Sequence, residues 1–114
     1  MRKGTTELSD ALRHRIRECL KPLDPEKVIV FGSYSHGKAN RDSDIDLIVV
    51  LDSEIVPKTY QERRMNRLLV RRALDALNRD YALDVLVYTM PEWTRFQDSG
   101  SAFSKEVVTR GVEV

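Results

Sequence analysis

Apolar residues recur along this chain in two rhythms, one of about four residues and one nearly continuous, and between them they lay out the elements. Leu8, Leu12, Ile16 and Leu20 fall at every fourth position of residues 6–20, with Arg13, Arg15, Arg17 and Glu18 between them, which predicts an amphipathic helix. Pro22 and Pro25 are expected to end it. Lys27 to Phe31 is a short β-branched run and reads as a buried strand. Gly32 stops it, and a polar stretch from Ser33 to Ser43 follows. Asp44 to Leu51 predicts the second strand, whose continuous apolar end calls for cover on both faces. Beyond Pro57, Thr59 to Asn78 predicts a long helix with a buried stripe of Met65, Leu68, Leu69, Ala73, Ala76 and Leu77. Leu83 to Thr89 is the third strand. Thr89 and Glu92 stand at capping-box spacing, with Pro91 in the first turn, so a short helix starts there. Another runs from about Ala102 to Arg110 and stops at Gly111.

The order helix, strand, loop, strand, helix, strand, helices is an α/β arrangement around a small mixed sheet. With 114 residues, no repeat and no linker, residues 1–114 are expected to form one domain. The formal net charge is only +1, which argues against long nucleic acid as a partner. A lone cysteine, Cys19, cannot form an internal disulfide, and a reducing cytoplasm fits best. No stretch approaches the ~18–20 apolar residues of a membrane span, and the first residues do not read as a signal peptide.

Topology then gathers the polar residues. The crossover through residues 59–78 is long enough to make the second and third strands parallel, while the short first connection makes strands one and two antiparallel. The end of strand one should therefore meet the beginnings of strands two and three, which hold Gly32-Ser33, Asp44-Ile45-Asp46 and Asp84. Asp44 and Asp46, two apart on a strand, point to one face. Like charges so placed repel unless a cation compensates, and hard divalent ions suit such carboxylates. An isolated Asp-x-Asp is more often a solvated strand cap. Asp84 opens an apolar strand, where a charge is costly unless paired, ligated or frayed into water. Gly32 lets backbone approach a ligand, and a helical turn at 33–37 could offer N–H groups and the Ser33 hydroxyl to phosphate, with Gly37 turning the loop back. A tight polar turn is the plainer reading of such a loop. Gly32 to Ala39 nearly matches the P-loop pattern, but Ala39 lacks the required hydroxyl and a strand follows too soon for the helix a P-loop must open.

Gly32-Ser33, Gly37 and Ser43-Asp44-Ile45-Asp46-Leu47 together resemble the G-S-x-x-x-G…S-D-x-D-L signature of the DNA polymerase β-like nucleotidyltransferase superfamily. The length, and Asp84 on a later strand, are most similar to its minimal members, which are often encoded beside helical HEPN partners in prokaryotic toxin–antitoxin pairs. The resemblance implies two-metal phosphoryl transfer, moving AMP from ATP, or the equivalent from another nucleoside triphosphate, to an acceptor hydroxyl. Asp44, Asp46 and Asp84 would be catalytic and would hold two Mg2+ ions, or Mn2+, with Asp84 nearest the acceptor. Ser33 and nearby backbone amides, between Gly32 and Gly37, would bind phosphates. Arg41 could reach one too, a solvated loop arginine being an equal alternative.

No second domain is seen to hold the acceptor, so it falls to a HEPN-type protein partner, a homo-oligomer or this surface alone. The competing function is a binding module that neutralises a partner by contact, without catalysis. A nucleic-acid binder is disfavoured by the charge balance. His36 and His14 read as exposed residues. Arg64, Arg67 and Arg71 share a helical face that is either solvated or open to phosphate or an acidic partner. Trp93 and Phe96 are either core or a contact for a partner, and with Phe103 they are expected to form an apolar patch.

Overall fold

The computed structural model describes residues 8–34 and 44–114, with Ser33 by its backbone alone. Ser9 caps α1 (Asp10–Leu20), its Oγ accepting from the Leu12 N–H at 3.1 Å. Leu12, Ile16 and Leu20 are buried as their spacing predicts, each contributing about 1.5–3 kcal/mol. Pro22 does not end the chain's helical course. It sits in the first turn of a 3₁₀ segment, Lys21–Leu23, where its missing N–H has no partner to lose. The turn away comes at Asp24, whose φ of 46° is left-handed.

Among the described residues four strands form one sheet in the order β3-β2-β1-β4: β1 (Lys27–Phe31), β2 (Ile45–Val50), β3 (Leu83–Tyr88) and β4 (Val112–Glu113). β1 is antiparallel to β2 and to β4, and β2 is parallel to β3. The expected directions are thus those observed. β4 has no counterpart in the sequence pattern, because two residues are too few to show a period. Gly111 leads straight into it with extended backbone.

Thr59 caps α2 (Tyr60–Ala73), accepting from the Glu62 N–H at 3.1 Å. At Leu74 (φ −93°, ψ 5°) the helix breaks and restarts as α3 (Asp75–Asn78). The predicted buried stripe is only partly right. Val70, Leu74 and Leu77 are the buried residues, whereas Met65 is 65% and Leu69 49% exposed. The run Leu68-Leu69-Val70 satisfies several helical faces at once, so periodicity could not choose the rotation. Packing against the sheet chose it.

The alternation of β2 divides the interior. Ile45, Leu47 and Val49 join Val28, Val30 and the buried residues of α1, α2 and α3 on one face. Ile48 and Val50 join Ile29, Trp93 and Val107 on the other, beneath α4 (Met90–Asp98) and α5 (Ala102–Arg110). Glu92 caps α4 as its spacing foretold, accepting from the Thr89 N–H at 2.9 Å. The expectation of an apolar patch here needs correction. Trp93 is 7% exposed and lies in the chain's own core. Phe96 is half-buried, its ring 5.5 Å from Trp93 and 5.4 Å from Tyr88, and only Phe103 stands substantially open. The sheet face needs cover on this side, and α4 supplies it.

Candidate active site

The end of β1 and the beginnings of β2 and β3 lie side by side. Phe31 pairs with Asp46 across the antiparallel ladder, and Asp46 pairs with Asp84 across the parallel one. Paired positions on neighbouring strands put their side chains on one face, here the face of α4 and α5, with strands about 4.8 Å apart. Asp44 precedes β2 by one residue and is exposed, as is Asp84, while Asp46 is half-buried.

The Asp46 carboxyl is pushed above the usual carboxylate range, first by burial, then by the charges of Asp84 and Asp44. Asp84 and Asp44 both act on Asp46, and the topological inference from the sequence holds at the level of backbone. Their side chains are not drawn up into a ligand set: among the described residues no group of three His, Cys, Asp or Glu is arranged to hold a metal ion. Repulsion between like charges is the physical reason to expect them apart, and a divalent cation would reverse its sign.

Gly32 lies against this edge. Its φ is +75°, and a Cβ there would overlap Asp46 Oδ2. Only glycine tolerates both conditions, so backbone comes as close to the carboxylate as backbone can. Gly32–Tyr34 forms a 3₁₀ turn rather than a longer helix within the described residues. Gly37 and Arg41, the other expected nucleotide contacts, lie outside the described residues, as does His36.

Two neighbours of the site were not singled out from the sequence. Tyr34, 4% exposed, anchors the end of the glycine turn in the core shared with α1 and α2. Burial, then Tyr81, pushes its phenol up. A lone aromatic in a polar stretch was the available signal. Phe31 flanks Asp46 and meets the Phe103 ring edge-on at 5.4 Å, a contact between residues 72 positions apart that no local pattern announces.

The nucleotidyltransferase domain family matches residues 13–89, a span that contains β1, β2, β3 and all three aspartates. Among solved structures, one of a toxin–antitoxin with AMP-PNP is 23% identical with a TM-score of 0.54, covering 88% of this chain and 69% of that one. One of a toxin–antitoxin MntA-HpeT mutant is 20% identical with a TM-score of 0.51 and the same coverage. At these identities the likeness is one of fold. Comparison with curated protein sequences found no significant match. A family match across most of the chain, from residue 13 to residue 89, makes this protein a member of the nucleotidyltransferase domain family.

Proposed function

We propose that this protein transfers a nucleoside monophosphate, AMP from ATP in the first instance, to a hydroxyl on a HEPN-type partner protein. The observation that carries the reading is Asp46: half-buried, paired in register with Asp84, and raised by burial and by both other aspartates. A carboxylate so crowded by negative charge is suited to a divalent cation, and Gly32, having no Cβ, lets Asp46 Oδ2 lie directly against the glycine turn. Asp44, Asp46 and Asp84 would hold Mg2+ or Mn2+, which when bound neutralises phosphate charge and lowers the pKa of the attacking hydroxyl.

Asp44 and Asp46 face the nucleotide side, next to the Gly32–Tyr34 turn. Backbone of that turn, with the Ser33 hydroxyl, binds phosphate, Gly37 turns the loop back as the motif assigns it, and Arg41, outside the motif, would reach a phosphate as well. Asp84, exposed at the start of β3, faces the acceptor and takes up the hydroxyl proton. The acceptor oxygen bonds to the α-phosphorus, the bond from that phosphorus to the bridging oxygen breaks, and pyrophosphate leaves with the electron pair. The toxin–antitoxin setting of the solved structures of like fold supports a protein acceptor.

Incubation with α-labelled ATP and the partner protein tests this. Label should reach the partner in magnesium, and EDTA or Asp46→Asn should prevent it. If every aspartate variant neutralises the partner as well as the parent does, contact alone suffices and the transferase reading of the biological role falls.

A further inference from the structure

The sheet ends differently on its two sides. β4 closes one side with two residues, whereas β3 presents six on the other and, among the described residues, pairs only with β2. A very short edge strand is one of the devices that blunt unwanted strand pairing. β3 shows few of the others: its sequence, Leu-Asp-Val-Leu-Val-Tyr, carries one charge, Asp84 at its start, and no proline or lysine, and its register with β2 runs without a bulge. Two hydrogen bonds fix which groups point outward. The Ile45 N–H donates to the Ala82 carbonyl at 2.9 Å and the Leu51 N–H to the Tyr88 carbonyl at 2.8 Å. The even-numbered residues of β3 therefore face β2, and the backbone of Leu83, Val85 and Val87 faces out.

One flank of α2 runs above this edge. Arg71 shares a hollow of about 110 Å³ with Leu83 and Val85, and Arg67 shares one of about 70 Å³ with Val87. Arg64 lies on the same helical face, three and seven residues before them. Among the described residues none of the three makes an ion pair. Arg67 rests over the Tyr60 ring at 5.7 Å, and Asp75 is the acid on the rim of the Arg71 hollow.

We propose that the open edge of β3 docks an extended acidic segment of a partner polypeptide, added to the sheet by pairing with Leu83, Val85 and Val87 and held by Arg64, Arg67 and Arg71. Main-chain bonds supply the pairing and the arginines select the charge. A second copy of this chain does not fit as well. Antiparallel pairing of two β3 edges would place both arginine rows on one face of the joined sheet, against each other. A strand added here lies beside Asp84, so docking also brings the partner to the acceptor side of the site. The proposal rests on the reading above only in taking a protein as the occupant.

The probe is a fluorescent peptide of alternating Glu and Val, offered without nucleotide or metal, so that its outcome is independent of transfer. Saturable binding is expected, with slowed amide exchange at Val85 and Val87. Methylating alternate peptide nitrogens should weaken it about tenfold or more, as should Arg67→Glu with Arg71→Glu. Val85→Pro removes an outward N–H the fold does not use and should do the same. Should that variant misfold, the N-methylated peptide carries the same test on the parent protein. Absence of binding, or binding unaffected by N-methylation, overturns strand addition. So does a single-stranded RNA oligomer that displaces the peptide while binding Val85→Pro undiminished, since the arginines would then be a phosphate site. A dimer in sedimentation that Val85→Pro dissolves overturns it in favour of a second copy.

Discussion

Half-buried beside Gly32 and in register with Asp84, the Asp46 carboxyl is raised first by burial and then by Asp84 and Asp44, which sets how it responds to pH. A carboxyl whose pKa is higher folded than unfolded binds more protons when folded. Its stabilising effect is complete below the ordinary value of 3.8 and is lost as pH rises through the folded value. In EDTA at neutral pH, Asp46→Asn should raise the melting temperature by a few degrees, and the gain should fade as pH falls toward 3.8. Melting curves across that range check the sign. The same variant should lower transfer by about 10²–10³-fold, because a ligand charge acts chiefly on charge that develops in the transition state. Gly32→Ala should cost about 1–2 kcal/mol for left-handed backbone alone, and more through overlap with Asp46 Oδ2. In an Asp46→Ala background the second part should vanish, which a double-mutant cycle in urea would measure.

Among the elements, α2 shows where helical periodicity is an incomplete guide. Leu74 and Leu69 look alike in the sequence, yet one is 1% and the other 49% exposed. Leu74→Ala should therefore cost about 2–5 kcal/mol by leaving a cavity. Leu69→Ala should stay within about 0.5 kcal/mol. Chemical denaturation of the two variants separates the rotation seen here from the one that periodicity alone suggested. The α4 cap behaves differently, since Thr89 and Glu92 act three residues apart and were legible from spacing, whereas Ser9 starts α1 four residues later than periodicity suggested.

At the scale of the whole molecule, the proposed nucleotide binding would be linked to folding. A ligand held only by the folded chain stabilises it by about 2.7 kcal/mol at a hundredfold excess over Kd. ATP with magnesium should raise the melting temperature accordingly. ATP with EDTA should give little or no rise, because triphosphate charge then meets Asp44 and Asp46 uncompensated. Equal shifts in both conditions would remove the aspartates from the nucleotide site. The described residues include no helix long and apolar enough to cross a membrane.

Strand directions, their convergence at one edge and the three aspartates at that edge followed from the sequence alone, because a connection with no helical pattern favours antiparallel strands and a long helical crossover permits parallel ones. Gly32 and the Asp44-Ile45-Asp46 run were legible as local patterns. What required tertiary structure was every choice among equivalents: which face of α2 turns inward, whether Trp93 serves the core or the surface, and that Val112–Glu113 adds a fourth strand. It also showed that Tyr34 pins the glycine turn and that Phe103 reaches Phe31. These depend on contacts between residues far apart in the chain, whose energies no local window contains.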